Sequence, residues 1–472
     1  MNWRVVLVIA LLGAGGCATG PKYVRPEAPV PPSFKEADAW KPAQPNDEAV
    51  RGAWWEIFND PPLNGLEERI EVSNNTLRAA QAQFDQARAL VRYARASKVP
   101  QVSGTAAVIN NNQSENRPLS NPTAATHYTD YLLRFDASYE LDVWGRVRYA
   151  VAASRASAQA CAADLEVVRL SLHAELAADY FAVRALDAER EILQSSVAAY
   201  ERALELTRNR YKGGVASAID VAQAEAQLEA TRAQVIDLQA RRAQVEHAIA
   251  ALIGEPASTV NLPVRPLAGD PPPIPTGLPA DLLERRPDIA AAERRMAAAN
   301  AQVGVAAAAF FPALTLTGTA GFESAALLDL LRGVSGFWTA APAAVMVLFD
   351  GGRRRAVSDQ AKAGYERAVA LYRETTLAAF REVEDYLATL RVLEEEATVQ
   401  QLALAASERS LALSTNRYKG GIATYLEVIS AQNTVLSNRR TAANILARRL
   451  TASVLLVKAL GGGWDASRLP AR

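Results

Sequence analysis

The sequence predicts a mainly α-helical chain with a small β part, built as a duplicated helix–two strands–long helix–helix unit. Three observations carry this: a seven-residue segment that recurs almost half a chain later, two proline-free stretches longer than globular helices, and short segments that alternate apolar and polar residues. Asn209-Arg210-Tyr211-Lys212-Gly213-Gly214-Val215 returns as Asn416-Arg417-Tyr418-Lys419-Gly420-Gly421-Ile422, an offset of 207 (416 − 209). The same offset carries Gly145-Arg146 onto Gly352-Arg353 and Gly254 onto Gly461. Val99-Pro100 corresponds to Phe311-Pro312 at an offset of 212 (311 − 99), so loop length differs between two copies of one plan.

The first 16 residues have the form of a signal peptide: a basic start at Arg4, an apolar run Val5 to Leu12, and small residues 13–16 before Cys17. A cysteine directly after such a run predicts lipoprotein processing, with a diacylglycerol on the Cys17 thiol and an acyl chain on its amine. Ala14 stands where a Leu is usual. Ala18 follows in place of the Asp that retains lipoproteins at the inner membrane, so an outer-membrane destination is expected. Residues 17–61 are then an anchor followed by an extended, Pro-rich arm. Cys161, the only other cysteine, has no disulfide partner once Cys17 is lipidated.

The first repeat is expected over 62–254. It holds a helix at about 62–98, strands within 101–141, a long helix at about 146–210 and a tip at 211–222. The second repeat spans 279–461, with a helix at 279–310, strands within 313–348, a long helix at about 353–417 and a tip at 418–429. At ~1.5 Å per residue each long helix reaches ~95 Å, which implies coiled-coil-like packing. In the closing helix, Leu426, Ile429, Leu436, Ala443, Ala447, Leu450, Val454 and Val457 follow helical spacing. Residues 255–278 join the halves, and 462–472 are expected to form a mobile tail.

The strands set the function class. One face of Tyr131–Leu141 reads Tyr131, Leu133, Phe135, Ala137, Tyr139, Leu141; the other reads Leu132, Arg134, Asp136, Ser138, Glu140. Aromatics on the apolar side of a period-2 pattern fit a membrane barrel with a wet interior. Thr315, Thr317 and Thr319 alternate with Leu314 and Leu316 in the same manner, and Pro342 interrupts the weakest strand. Four strands cannot close a barrel, and an open edge cannot sit in lipid. Two copies give eight strands with a filled interior; three give twelve and a pore.

Lys+Arg and Asp+Glu are equal at 51 each, which provides no basic field for nucleic acid. His127, His173 and His247 lie far apart, with no His or Cys at ligand spacing, so no metal is expected. The Lys-Gly-Gly turns lack the Gly-Lys-Ser/Thr ending of a phosphate loop. No nucleophile stands in a recognisable elbow, and the chain is not expected to be an enzyme or to hold a cofactor beyond its acyl chains.

Further motifs are Gly20-Pro21-Lys22-Tyr23-Val24-Arg25-Pro26, Trp54-Trp55-Glu56-Ile57-Phe58-Asn59-Asp60-Pro61, Leu283-Glu284-Arg285-Arg286-Pro287-Asp288-Ile289 and Leu348-Phe349-Asp350-Gly351-Gly352-Arg353. On these the chain resembles the TolC-like outer membrane efflux proteins, and within them the lipoprotein branch of OprM and NodT. The resemblance covers nearly the whole chain after Cys17. It implies a homotrimer with a shared twelve-stranded barrel in outer-membrane lipid, continuous with a periplasmic α-barrel. It also implies docking onto a membrane-fusion adaptor and an inner-membrane pump of the RND type, with small toxic compounds as cargo.

By the same resemblance, the turn glycines Gly213, Gly214, Gly420 and Gly421 meet the adaptor, Asp220 and Tyr418 clasp neighbouring tips, and Glu427 constricts the periplasmic gate. Ala423 and Ser430 depart from the family pattern by replacing an Arg and an Asp. Asp220 and Glu427 also have a plainer reading as acidic residues early in a helix, where the dipole favours them by ~0.3–1 kcal/mol. A duct for secreted protein or oligosaccharide, and a structural envelope lipoprotein, remain the alternative readings.

Overall fold

In chain order the elements are α1 (Pro61–Ser73), α2 (Asn75–Ala96), β1 (Gln101–Asn112), β2 (His127–Glu140), α3 (Arg146–Lys212), α4 (Ala218–Leu252), α5 (Pro287–Ala308), β3 (Ala313–Ser324), β4 (Gly336–Val345), α6 (Arg353–Lys419) and α7 (Tyr425–Ala459), with short turns of helix between. This computed structural model describes residues 20–26, 30–36, 52–114, 116, 118, 125–274, 281–464, 469 and 470. The signal segment and Cys17 lie outside the described residues.

Both long helices contain 67 residues and both closing helices 35, so the duplication seen in sequence is kept element by element. Each long helix starts after a glycine with positive φ, Gly145 or Gly352. Carboxylates satisfy the free amides of the first turn: Asp142 accepts from Val147 and Arg148, and Asp350 accepts from Arg354. α3 lies against α2, α4, α5 and α7, and α6 lies against α5 and α7. The result is a wall in which shorter helices, stacked end to end, run beside the long ones.

The first helix of each repeat is not continuous as expected. It breaks at Asn74 in one half and at Arg286 in the other, both with extended backbone. Pro287 forces the second break, because the residue before a proline is pushed out of the helical region. Asn74 makes the first by capping α2, its side chain accepting from Leu77 N at 2.8 Å. Both break residues also reach the end of a closing helix, which fixes the end-to-end stacking.

The main core gathers at mid-height of the long helices around Tyr180, Leu176, Tyr372, Val383, Leu63, Ile70 and Val457. The arm and the link fold onto this level. Phe34 is buried there, and the amides of Lys35 and Glu36 donate to Glu384. Arg184 donates to Pro263 O at 2.7 Å, and Leu267 N donates to Arg184 O at 3.0 Å. Trp464 is buried with Ala163, Ala290 and Ala291, and Gln159 donates to Pro470 O, because the large ring finds a cleft lined by alanine.

The spacing in α7 is also corrected. Its lower half buries Tyr425, Val428, Gln432 and Val435, whereas Leu426 is 60 % exposed. Near the tip the buried stripe thus lies one residue earlier than the 3-4 pattern suggested, and from Leu436 onward it includes the expected Leu436, Leu450, Val454 and Val457.

Candidate functional site

The chemistry of this chain is concentrated at its two ends. At one end the four strands form one antiparallel sheet in the order β1-β2-β3-β4, leaving β1 and β4 as open edges. Phe135 pairs with Gly104 and Ala320, and Ala320 with Trp338; Leu133 pairs with Ala106 and Phe322. On the other face Asp136 pairs with Ser103 and Thr319, and Thr319 with Thr339. Paired residues share a face in an antiparallel ladder, so the register extends the alternation of β2 across all four strands.

Polar groups on the wet face satisfy one another. Arg134 pairs with Asp136 at 3.1 Å, and Thr319 Oγ1 donates to Asp136 at 2.8 Å. The apolar face has nothing over it, and Phe135 is 54 % and Trp338 78 % exposed. Phe135 lies across Gly104, where an added Cβ would meet the ring at 3.3 Å. Pro342, opposite Leu316, sits on an edge strand, where a missing donor is tolerated.

At the other end, α3–α4 and α6–α7 each turn through a pair of glycines. Gly214 (φ +74) and Gly421 (φ +75) occupy the left-handed region that a side chain strains, whereas Gly213 and Gly420 do not. No heavy atom lies within 4 Å of a Cβ added at Gly214, so the outer surface of that turn is bare backbone.

Asp220 and Tyr418, expected to clasp neighbouring tips, are engaged elsewhere in this chain. Asp220 completes a capping box with Ser217: its carboxylate accepts from Ser217 N and Oγ, both at 2.9 Å, while Asp220 N donates to Ser217 Oγ at 3.2 Å. Tyr418 is 4 % exposed, its hydroxyl directed at Thr207 Oγ1 at 3.4 Å and its ring against Tyr425. Within one chain, the carboxylate thus holds two donors of its own turn and the phenol is buried among its own helices. Glu427 is exposed beside a groove lined by Ser407, Ser410, Ser414, Ser430 and Thr434.

Two features were not singled out in the sequence. Arg210 joins the tips: its guanidinium lies 4.5 Å from the centre of the Tyr418 ring, and Nη1 donates to Lys419 O at 3.2 Å. The recurring Asn-Arg-Tyr-Lys segment was the available signal, but it does not tell which of its two arginines turns inward.

The second is His173, buried between two carboxylates of α1. Nδ1 lies 2.7 Å from Glu67, Nε2 lies 3.2 Å from Glu71, and the ring stacks on Trp55 at 4.4 Å. Burial pushes Glu67 up to about 7, against the pull of His173. For His173 burial lowers the pKa, but the hydrogen bonds to Glu67 and Glu71 outweigh it and raise it. Glu71 is lowered, mainly by its bond to His173. Among the described residues no cluster of His, Cys, Asp and Glu is arranged to hold a metal, and no helix is long and apolar enough to cross a membrane.

Comparison with known proteins agrees with this geometry. The family profile described as Outer membrane efflux protein matches residues 66–255 and 278–462, the two repeats. The probable efflux pump outer membrane protein TtgC of Pseudomonas putida is 33 % identical over 464 residues, covering 97 % of this chain and 95 % of that protein. Outer membrane protein OprJ of Pseudomonas aeruginosa is 34 % identical over 475 residues, covering 98 % and 96 %. Among solved structures, the outer-membrane channel OprN is similar with a TM-score of 0.87 at 31 % identity, covering 95 % of this chain and all of that one. VceC from Vibrio cholerae gives 0.82 at 29 % identity, covering 88 % of this chain. The chain belongs to the outer membrane efflux protein family and is an efflux channel of the Gram-negative outer membrane.

Proposed function

We propose that three copies of this chain share one twelve-stranded barrel in the outer membrane, continued by a helical duct through the periplasm. Small toxic compounds leave through it passively, without a chemical step. The observation that carries this reading is the two-faced sheet with both edges open. Its uncovered apolar face requires lipid, and its edge strands require partners that lipid cannot supply. A water-filled interior suits the face that carries Arg134, Asp136 and the threonines. That sheet also disfavours a purely structural coiled-coil lipoprotein.

Cys17, in this reading, carries a diacylglycerol and an N-acyl chain that supplement the barrel's own hold on the membrane. A periplasmic adaptor meets the bare glycine turns at Gly213, Gly214, Gly420 and Gly421, and an inner-membrane pump of the RND type supplies cargo and energy. Relatives named as toluene and antibiotic efflux pump outer membrane proteins make organic solvents and antibiotics the first cargo to test. Glu427 contributes one carboxylate per copy to a ring at the periplasmic mouth, which attracts cations.

The test is native mass spectrometry of detergent-extracted protein, followed by conductance in planar bilayers. Three copies and a discrete pore are expected. A monomer, or a trimer that never conducts, overturns the reading.

A further inference from the structure

The tips break the symmetry of the duplication at a cation–ring contact. Arg210 and Tyr418 belong to different repeats and meet inside one chain, cation over ring at 4.5 Å. At the offset of 207 (417 − 210), their counterparts are Arg417 and Tyr211. These two do not face inward: Tyr211 is 50 % exposed and Arg417 is exposed, and no partner for either side chain is found among the described residues. One cation–ring pair is therefore formed, and an identical pair of side chains is left open on the two outer flanks of the same tips.

A ring of three copies, on which this inference rests, sets tips of the first and second kind alternately around the axis. Each second tip then faces the first tip of the next copy. Applying the repeat offset to the observed contact moves Arg210 onto Arg417, Tyr418 onto Tyr211, and the acceptor Lys419 onto Lys212. We infer that Arg417 lies over Tyr211 of the partner subunit and donates to the carbonyl of Lys212 of the partner subunit, so the periplasmic mouth is held by six equivalent latches, three within chains and three between them.

The chemistry suits this role. A guanidinium over a phenol ring gains from the ring's electron-rich face, and it loses nothing to a competing carboxylate, because none pairs with Arg210 among the described residues. The carbonyl it reaches ends a 67-residue helix, where backbone acceptors are free and the dipole is negative. Each latch is weak, as a gate that must open requires. Only the between-chain set has to part for the copies to move relative to one another, while the Arg210 set keeps the two tips of each chain together.

Two measurements test it. In a Cys161→Ala background, Tyr211→Cys with Arg417→Cys is treated with a short bismaleimide, beside single-cysteine controls and the internal pair Arg210→Cys with Tyr418→Cys. The outer pair should give covalent dimers and trimers, and the internal pair a linked monomer. Separately, Arg417→Gln and Tyr211→Leu each remove three latches per trimer and should raise the open population in planar bilayers by about eight-fold or more, at about two- to five-fold per latch. The double variant should open no further than the more open single one, since both remove the same contact.

A protein that is trimeric by native mass, whose internal pair links while its outer pair stays monomeric, overturns the inference and leaves the trimer reading standing. Additive effects of the two conductance variants overturn it equally. A protein that is not trimeric fails the earlier reading instead.

Discussion

Arg286 donates through Nη1 to the carbonyl of Ala459 at 2.9 Å, tying the start of α5 to the end of α7. Asn74 does the same in the first half, donating to Leu252 O at 2.6 Å. A neutral amide and a guanidinium thus perform one task at matching points of the two repeats. Gly254 and Gly461 sit beside these joints with positive φ, and a Cβ at either would collide with the carbonyl of Ser73 or Arg285.

The joint at Arg286 is the more exacting one. Its guanidinium is buried and also holds Asp288 at 2.7 Å and Glu382 at 2.8 Å. Arg286→Ala takes this donor from a buried carbonyl and from two partly exposed carboxylates, and it should cost ~1–3 kcal/mol. Gly461→Ala should be destabilising as well, by more than ~1 kcal/mol, because strain and collision add. Unfolding midpoints in denaturant, compared with the parent, check both. An unchanged midpoint for Arg286→Ala would mean that the joint does not limit stability.

Stability should depend on pH through the Glu67–His173–Glu71 cluster. His173 has a raised folded pKa, so its contribution is full below the unfolded value of about 6.5 and is lost as pH rises through the folded value. Glu67, raised to about 7, acts in the same direction: its contribution is full below the unfolded value of about 4.5 and is lost as pH rises through about 7. Glu71 is lowered, so its contribution holds above the unfolded value of about 4.5 and is lost in stronger acid. A thermal midpoint that is highest near about pH 4.5 to 5 and falls through neutral pH toward about pH 9 is expected, followed by Trp fluorescence, since Trp55 stacks on the His173 ring. His173→Gln should flatten the profile above pH 6.5, and a parallel profile would exclude the cluster as its source.

Substitutions in β2 should sort by face. Phe135→Arg places a charge toward lipid, at a cost of ~2–4 kcal/mol in every copy, and should abolish membrane assembly. Arg134→Gln, on the wet face, should assemble normally. Gly321→Ala should fail despite its small size, because its Cβ would press on the backbone of Leu133 and Arg134. Outer-membrane yield and resistance to heated detergent report the result. Equal tolerance at 134 and 135 would contradict the lipid-facing assignment.

At the tips, Asp220 and Glu427 should separate. Asp220→Ala removes half of a capping box and should cost ~1 kcal/mol at the start of α4, with conductance little changed. Glu427→Gln should reduce cation selectivity, read as a shift in reversal potential under a salt gradient, while costing no more than the ~0.3–1 kcal/mol that the helix dipole contributes at this position. An unshifted reversal potential would show that this carboxylate does not face the permeating ions.

Much of this architecture was legible in the residues themselves. Gly-Gly turns, proline-free runs and period-2 strands act over a few neighbours, so the duplication, the long helices to within two residues and the two faces of β2 follow from local pattern. The pairing register then extended that pattern to all four strands, which the weak alternation of β1 and β4 did not reveal. What only the tertiary structure decided is where matching residues of the two repeats differ in partner. Arg210 turns inward and Arg417 outward from the same local sequence, because only one of them has the other repeat's tip beside it. His173, set apart in sequence from any metal-binding partner, stacks on Trp55 and holds two carboxylates that arrive on α1 from about a hundred residues away. The break at Asn74 and the burial of Tyr425 in place of Leu426 have the same origin. Helical periodicity specifies that a face is apolar, but contact with a distant segment selects which face is buried and which side chain spends its hydrogen bonds there.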